Sequence, residues 1–318
     1  MPESGTDDGN PSDIDICVCV PARNEAARLP VLFAALAAQT CRGPVLLAVA
    51  VNNSNDDSFA VIEQARVRYA GQLVIHVEQV TFAPEMAHAG SARRLAMDTG
   101  LGLTPASERG VLVSTDADTR PPPEWLDNIA SAIARGADIV GGRIEIEPGE
   151  PLPEGVLRLR SAWDRYWEAV RAIEDTEDPL PWDEAPRHGD HTGASLAIRT
   201  VLYQQCGGVP LLRTGEDRAL VNAALVQGGR LSHPTNVFTR VSPRRDGRAE
   251  TGMAAAMQEM FDLAAAGTSP RAPALHHWQK RAAWRRTLRA LPGGQAMIAQ
   301  QEPLLAPMPH DMVLEIGT

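Results

Sequence analysis

The segment Ser114-Thr115-Asp116-Ala117-Asp118 places two carboxylates two residues apart, directly after the apolar run 111–113. That run has the composition of a buried strand, so both carboxylates are expected at a strand's end. Carboxylate oxygens suit hard divalent cations, and a cation held there could bind a diphosphate. Aspartate is also common in turns after strands, so the triplet alone does not separate a metal site from an ordinary turn.

Length and composition are those of a globular protein of one or two domains. The chain has 318 residues, of which 44% are hydrophobic and 22% charged, enough to bury a substantial core. No apolar run approaches the roughly 18 residues of a membrane span. Four scattered cysteines are too few for a disulfide scaffold, which favours a reducing cytoplasm. We expect Cys17 and Cys19 on one strand face in the apolar core, with a metal or redox role as the alternative.

The charge balance argues against a nucleic-acid partner, because 30 basic against 40 acidic residues give a net charge of −10. Residues 271–289 nevertheless contain six basic side chains, two tryptophans and no acidic residue, as in a helix that docks on an anionic membrane. Trp278 and Trp284 would face nearly opposite sides of that helix. A helix packed on the body of the protein is therefore favoured, and peripheral membrane contact is the alternative.

Strand-like and helix-like segments alternate through the first half of the chain. Residues 15–20, 45–51, 73–77 and 111–113 are apolar, and helical spacing follows each of the first three. The alternation predicts an α/β fold with a mainly parallel sheet covered by helices on both faces. The loops at the carboxyl ends of these strands should meet, because ligands bind there in such sheets. Those loops hold Arg23, Asn24 and Glu25; Asn52, Asn53 and Asp57; His88 and Arg93; Asp116 and Asp118.

The second half of the chain is less regular. Residues 138–147 and 193–198 predict strands, and residues 154–174 predict a helix. Residues 175–190 are rich in proline and acidic side chains and predict a long loop, either a mobile flap or a plain surface connection. Gly215-Glu216-Asp217 opens a further helix.

No internal repeat or linker divides the chain, so one main domain is expected over residues 15–252. Residues 1–14 carry acidic side chains and no lysine or arginine, which predicts a disordered leader and not a secretory signal. Residues 253–318 would form a helical extension packed on or beside the main domain.

The first strand and its loop read Val18-Cys19-Val20-Pro21-Ala22-Arg23-Asn24-Glu25, continued by Leu29, Leu36 and Gln39. Together with later segments, over residues 15–252, this resembles a family 2 glycosyltransferase of the GT-A fold, a mainly parallel, Rossmann-like sheet flanked by helices. Members transfer a sugar from a nucleotide-diphosphosugar to an acceptor. The resemblance implies a nucleotide pocket lined by Pro21, Ala22, Arg23, Asn24 and Glu25. For Glu25, stabilisation of a helix dipole is the alternative.

Two further positions, Asn53 and Arg93, resemble nucleotide-binding elements of the family, and two arginines later in the chain could contact the diphosphate. Asn53 lies where many members carry an aspartate that reads the base, and because an amide both donates and accepts, bases other than uracil stay open. Arg93, in Gly90-Ser91-Ala92-Arg93, would donate to base or phosphate, with a solvated helix arginine as the alternative. Arg244 and Arg248 would contact the diphosphate, with a solvated basic turn as the alternative.

The triplet Asp116-Ala117-Asp118 takes the position of the family's metal-binding Asp-x-Asp. The resemblance implies that Asp118 binds Mn²⁺ or Mg²⁺, that Asp116 contacts ribose or metal, and that Ala117 borders the nucleotide sugar. The cation would neutralise charge on the departing nucleoside diphosphate. His233 is the candidate third ligand, with a structural histidine as the alternative.

Gly193-Ala194-Ser195, followed by Glu216-Asp217, resembles the family's acceptor side. The resemblance implies that Asp217 is the base of an inverting reaction and that Glu216 orients it or the acceptor, with Gly193 and Ala194 beside the acceptor. An acidic pair at a helix N-terminus is otherwise a cap that complements the helix dipole.

These features predict a soluble, cytoplasmic, metal-dependent enzyme that moves a sugar from a UDP-, GDP- or dTDP-sugar to a hydroxyl acceptor by single displacement. One alternative is a sugar-phosphate nucleotidyltransferase, but Pro21 to Glu25 replace its glycine-rich basic loop. The other is a non-catalytic nucleotide-sugar-binding scaffold, against which Asp118 and Asp217 argue. The Gln-x-x-Arg-Trp motif of polymerising members is absent from the sequence, which argues against processive synthesis.

Overall fold

The computed structural model describes residues 14–104, 109–149, 151–242 and 253–316. Its strands are β1 (Asp15–Ala22), β2 (Val45–Asn52), β3 (Leu73–Val80), β4 (Gly110–Ser114), β5 (Thr119–Arg120), β6 (Ile139–Gly141), β7 (Arg143–Ile146), β8 (Leu196–Arg199), β9 (Leu231–Ser232), β10 (Phe238–Val241), β11 (Arg271–Ala272) and β12 (Met312–Val313). Its α-helices are α1 (Leu29–Ala37), α2 (Ser58–Arg68), α3 (Ala89–Leu103), α4 (Trp125–Ala134), α5 (Glu154–Glu177), α6 (Thr200–Gln205), α7 (Glu216–Val226), α8 (Met253–Ala266), α9 (Leu275–Arg289) and α10 (Gly294–Gln301).

The main sheet of the described chain has the order β3-β2-β1-β4-β8-β6-β9. Strands β1 to β4 pair in parallel, and β8 runs antiparallel between β4 and β6. This confirms the mainly parallel α/β sheet that the sequence predicts. After β3 the chain crosses to the far side of β1 to form β4, so a crevice opens at the carboxyl ends of β1 and β4.

Both faces of this sheet are buried because its central strands are apolar at nearly every position. Successive side chains of β1 point to opposite faces. Val18 and Val20 join an apolar cluster with α1 and α4, whereas Cys17 and Cys19 join a second cluster that includes Met97 of α3. Both cysteines carry free thiols and are fully buried, as expected for core residues.

The prediction of a single strand over residues 138–147 is wrong. The structure divides it at Gly142 into β6, in the main sheet, and β7, in a three-stranded sheet of order β5-β10-β7. A Cβ atom on Gly142 would overlap the side chain of Ser195, so only glycine lets the turn at residues 192–195 lie this close. The strand predicted over residues 193–198 begins later, at Leu196, because residues 192–195 form a turn.

Helix α5 extends to Glu177, into the segment predicted as a loop, and the remainder of that segment is anchored by ion pairs. Arg187, whose side chain is 6% exposed, lies 2.6 Å from Asp175, 3.3 Å from Asp183 and 3.3 Å from Glu174. A buried guanidinium with three carboxylate partners holds its loop in place. The structure therefore favours the plain connection over the mobile flap.

The basic helix α9 packs against α5. Trp278 donates a hydrogen bond to the Tyr166 hydroxyl at 2.6 Å. Two arginines of α9 are paired with carboxylates at the end of α5. Arg285 lies 2.7 Å from Glu174, and Arg289 lies 2.8 Å from Asp178. The structure shows the packed helix that the sequence favours. The ion pairs of Arg285 and Arg289 reduce the positive charge available to a membrane surface. Among the described residues, no helix combines the length and the apolar character needed to cross a bilayer.

Candidate active site

The loops that follow β1, β2 and β3 are joined to one another at the carboxyl edge of the sheet. Asn24 accepts a hydrogen bond from the Asn55 amide at 2.9 Å, and its own amide donates to Ser54 Oγ at 3.0 Å. Arg23 donates to the Ala87 carbonyl at 3.2 Å. The polar loops that the sequence predicts to meet do meet here.

The structure places the predicted nucleotide residues Pro21 to Glu25 along the rim of this crevice. Pro21 and Ala22 are the last residues of β1 and pair with β2. Glu25 is buried, its amide donates to Ser58 Oγ at 2.9 Å, and its carboxylate lies 3.5 Å from Arg28. Contacts of these residues with a nucleotide stay predictions.

Asn53 joins two loops through its side-chain amide. The Nδ2 group donates to the Phe82 carbonyl at 2.9 Å, and Oδ1 accepts from the Phe82 amide at 3.1 Å. Its backbone has a φ of 44°, a left-handed conformation that asparagine tolerates better than most residues. The amide expected to read the base is thus bonded to the backbone after β3, an arrangement that the sequence did not suggest. The base contact stays a prediction.

Arg93 is the centre of the site. Its side chain is 7% exposed, and its donors reach Glu216 Oε1 at 3.0 Å, the Gly193 carbonyl at 2.8 Å, Asp116 Oδ1 at 2.9 Å and the Ser114 hydroxyl. Burial by itself would lower the pKa of Arg93, but Asp116 and Glu216 outweigh it and raise that pKa, so the guanidinium stays charged. The arginine predicted to contact the nucleotide instead links the Asp-x-Asp turn to the Glu-Asp helix; a nucleotide contact stays a prediction.

Gly193 lies between Arg93 and Asp217. Its amide donates to Asp217 Oδ2 at 2.8 Å. A Cβ atom at this position would overlap the Arg93 guanidinium, so a side chain here would displace Arg93 from its partners. The next residue, Ala194, is buried and accepts a hydrogen bond from Thr115 at 2.8 Å. The segment predicted to border the acceptor therefore lies directly along the end of β4.

The two acids that begin α7 are turned to different partners. Glu216 is buried and bonded to Arg93, whereas Asp217 is half-buried and bonded to the Gly193 amide. Both lie in the first helical turn, where negative charge is favourable. These two acids can therefore complement the helix dipole and also have the predicted chemical role.

Asp116 and Asp118 fit a divalent cation by the chemistry of their donor atoms. Asp116 gives one oxygen to Arg93, and its side chain is 39% exposed. Asp118 lies two residues further on in the same turn and is half-buried. Carboxylate oxygens open to water suit Mg²⁺ or Mn²⁺, which keep several water ligands. Ala117 between them is buried.

His233 does not join this pair, so its candidacy as a third ligand is not supported. Its Nδ1 atom lies 2.8 Å from Asp183 Oδ2, and its Nε2 atom lies 3.4 Å from His191 Nδ1. Both ring nitrogens therefore face other protein groups, as in the structural alternative. Arg244 and Arg248 lie outside the described residues.

Residues 17–189 match the family model described as Glycosyl transferase family 2. That match covers more than half of the 318-residue chain. The chain belongs to this family of glycosyltransferases. No curated protein matches it significantly in sequence.

Among solved structures, this family 2 glycosyltransferase is similar to S. aureus TarS 1-349 in complex with UDP-GlcNAc, with a TM-score of 0.51 and 18% identity over 87% of this chain and 72% of that one. It is also similar to the mannosyltransferase PcManGT from Pyrobaculum calidifontis in complex with GDP-Man and Mn²⁺, with a TM-score of 0.49 and 17% identity over 91% and 79%. The family match and the likeness to TarS show the fold of the GT-A glycosyltransferases.

Proposed function

We propose that this enzyme transfers a sugar from a nucleotide-diphosphosugar to a hydroxyl acceptor, with the donor between the ends of β1 and β4 and the acceptor at Asp217. The observation that carries the proposal is the buried Arg93, which joins Asp116 to Glu216 and so fixes a donor-side acid against the acceptor-side helix. The complex of S. aureus TarS with UDP-GlcNAc supports a nucleotide sugar as donor.

On the donor side, Asp118 and the second oxygen of Asp116 would hold Mn²⁺ or Mg²⁺. When bound, such a cation stabilises the negative charge of a leaving diphosphate. Arg93 keeps one oxygen of Asp116 occupied, so that carboxylate has a fixed orientation before any ligand arrives. The loops after β1, β2 and β3 would enclose the nucleoside.

On the acceptor side, Asp217 would act as the general base of an inverting single displacement. The acceptor hydroxyl gives its proton to the carboxylate while its oxygen bonds to the anomeric carbon and the bond from that carbon to the diphosphate oxygen breaks. The Gly193 amide, 2.8 Å from Oδ2, holds the carboxylate in one orientation. Glu216 is bonded to Arg93 and so positions α7, the helix that carries Asp217.

The donor assignment is tested by nucleoside diphosphate release from UDP-, GDP- and dTDP-sugars in the presence of Mn²⁺. We expect release with at least one of them, and a loss of about 100-fold or more in Asp118→Ala, because the cation contributes several kcal/mol of charge stabilisation. Asp262→Ala, an exposed aspartate on α8, is the matched control and should not change the rate.

Two results contradict the proposal. Turnover only of a nucleoside triphosphate with a sugar phosphate would identify a nucleotidyltransferase. Binding of sugar nucleotides without release of a nucleoside diphosphate, even with hydroxyl acceptors supplied, would identify a binding scaffold.

A further inference from the structure

The start of helix α9 lies beside the segment that leads into β12. Strand β11 pairs antiparallel with β12, which brings Asp311, the residue before β12, next to the chain that enters α9. The Oδ1 atom of Asp311 accepts a hydrogen bond from the Ala274 amide at 2.9 Å. Arg271 Nε donates to the His310 carbonyl at 3.0 Å and anchors the same segment a second time. The Asp311 carboxylate therefore has a fixed place at the N-terminus of α9.

Two histidines in the first turn of α9 lie at this carboxylate. His277 Nε2 is 2.9 Å from Asp311 Oδ2, and the centroids of the His276 and His277 rings are 3.9 Å apart. One possible ligand atom from each of the three side chains lies within 4.8 Å of the other two. In the described part of the chain, no other three histidine, cysteine, aspartate or glutamate side chains meet so closely. Two nitrogen donors and one oxygen donor thus share one small region of the surface.

This set of donors suits Zn²⁺ better than the cations expected at Asp116 and Asp118. Imidazole nitrogens and a carboxylate are ordinary zinc ligands at about 2.0–2.2 Å, whereas Mg²⁺ prefers oxygen ligands alone. Tetrahedral coordination at those bond lengths places the ligand atoms roughly 3.4 Å apart. The His276 side chain is exposed, so it can rotate to reach this distance. The side chains of His277 and Asp311 are 20% and 44% exposed, which leaves a fourth position open to water.

We propose that His276, His277 and Asp311 bind one Zn²⁺, with water as the fourth ligand. The site uses none of the acids of the candidate active site and is independent of the proposed function. A zinc ion held there would connect the first turn of α9 to the segment before β12. Zinc would therefore have a structural role in the C-terminal part of the chain, distinct from the cation of the donor site.

The test measures Zn²⁺ binding to the full chain by isothermal titration calorimetry in excess Mg²⁺, which occupies carboxylate sites and competes weakly for imidazole. The wild type should bind a zinc ion that His276→Ala and Asp311→Asn each bind about 100-fold or more weakly, since even a partner behind a metal ligand contributes about 10–100-fold. Asp311→Asn keeps an acceptor for the Ala274 amide. His310→Ala, at an exposed histidine directly before Asp311, is the matched control and should bind zinc as the wild type does.

The melting temperature without Zn²⁺ shows whether each variant is folded. Because His276 is exposed, His276→Ala decides the question even if Asp311→Asn unfolds. Equal zinc affinity in the wild type and His276→Ala, or no zinc binding by the wild type, would overturn the inference, and Asp311 would then only cap α9 and pair with His277. An equal loss of affinity in His310→Ala and His276→Ala would also overturn it, since zinc would then bind exposed histidines without selecting this cluster.

Discussion

Asp217→Asn is expected to reduce sugar transfer by about 100- to 10,000-fold, the contribution of a general base, while the protein remains folded. An amide has nearly the shape of a carboxylate and can still accept the hydrogen bond from the Gly193 amide, which is 2.8 Å from Oδ2. It cannot take the proton of the acceptor hydroxyl. The rate of transfer at saturating donor and the melting temperature, measured together, check this expectation.

The control for this change is Asp262→Asn, which makes the same chemical substitution at an exposed site on α8 and should not alter the rate. A variant at position 217 that keeps more than a tenth of the wild-type rate would show that Asp217 is not the base. A variant that loses its rate together with its thermal stability would instead point to the helix-capping role of an acid in the first turn of α7.

Glu174→Ala is expected to destabilise the fold by about 3–5 kcal/mol, the cost of removing one partner from a buried ion-pair network. Glu174 is 4% exposed and lies 2.6 Å from Arg171, 2.7 Å from Arg285 and 3.3 Å from Arg187. Burial would raise the pKa of Glu174, but the arginines, Arg171 first, hold it below its usual range. The substitution leaves three guanidinium groups without this carboxylate.

Glu177→Ala, on the same helix, is the matched control. Glu177 lies 3.4 Å from Arg286, and the two side chains are 29% and 60% exposed, so loss of this pair should cost less than about 1 kcal/mol. Urea denaturation measures both variants. Equal effects at the two positions would show that the buried network around Glu174 does not hold α5, α9 and the loop with Arg187 together.

The fold was predictable where local pattern and burial agree. The apolar runs of β1 to β4 alternate with amphipathic helices, and that alternation leaves few sheet arrangements. The prediction failed where a long-range contact decides the local structure. Gly142 breaks the strand over 138–147 because the turn before β8 lies against it, and nothing in the local sequence reports that approach.

The sequence predicted which loops and motifs form the candidate site, but it did not predict which side chains contact one another there. Strand ends in a parallel sheet must lie at one edge, so the loops with Asn24 and Asp116 could be placed together. The partners of Arg93 could not, because Glu216 is 123 residues away and a helix arginine has many possible neighbours.

The central claim is that the crevice between β1 and β4 binds the nucleotide of a sugar donor. The direct test is the melting temperature of the full chain with UDP, GDP or dTDP, each with and without Mn²⁺. A nucleoside diphosphate at about 100 times its Kd contributes about 2.7 kcal/mol, so one of the three should raise the melting temperature by about 5 °C or more when Mn²⁺ is present. A melting temperature that none of the three changes in the presence of Mn²⁺ would contradict the account.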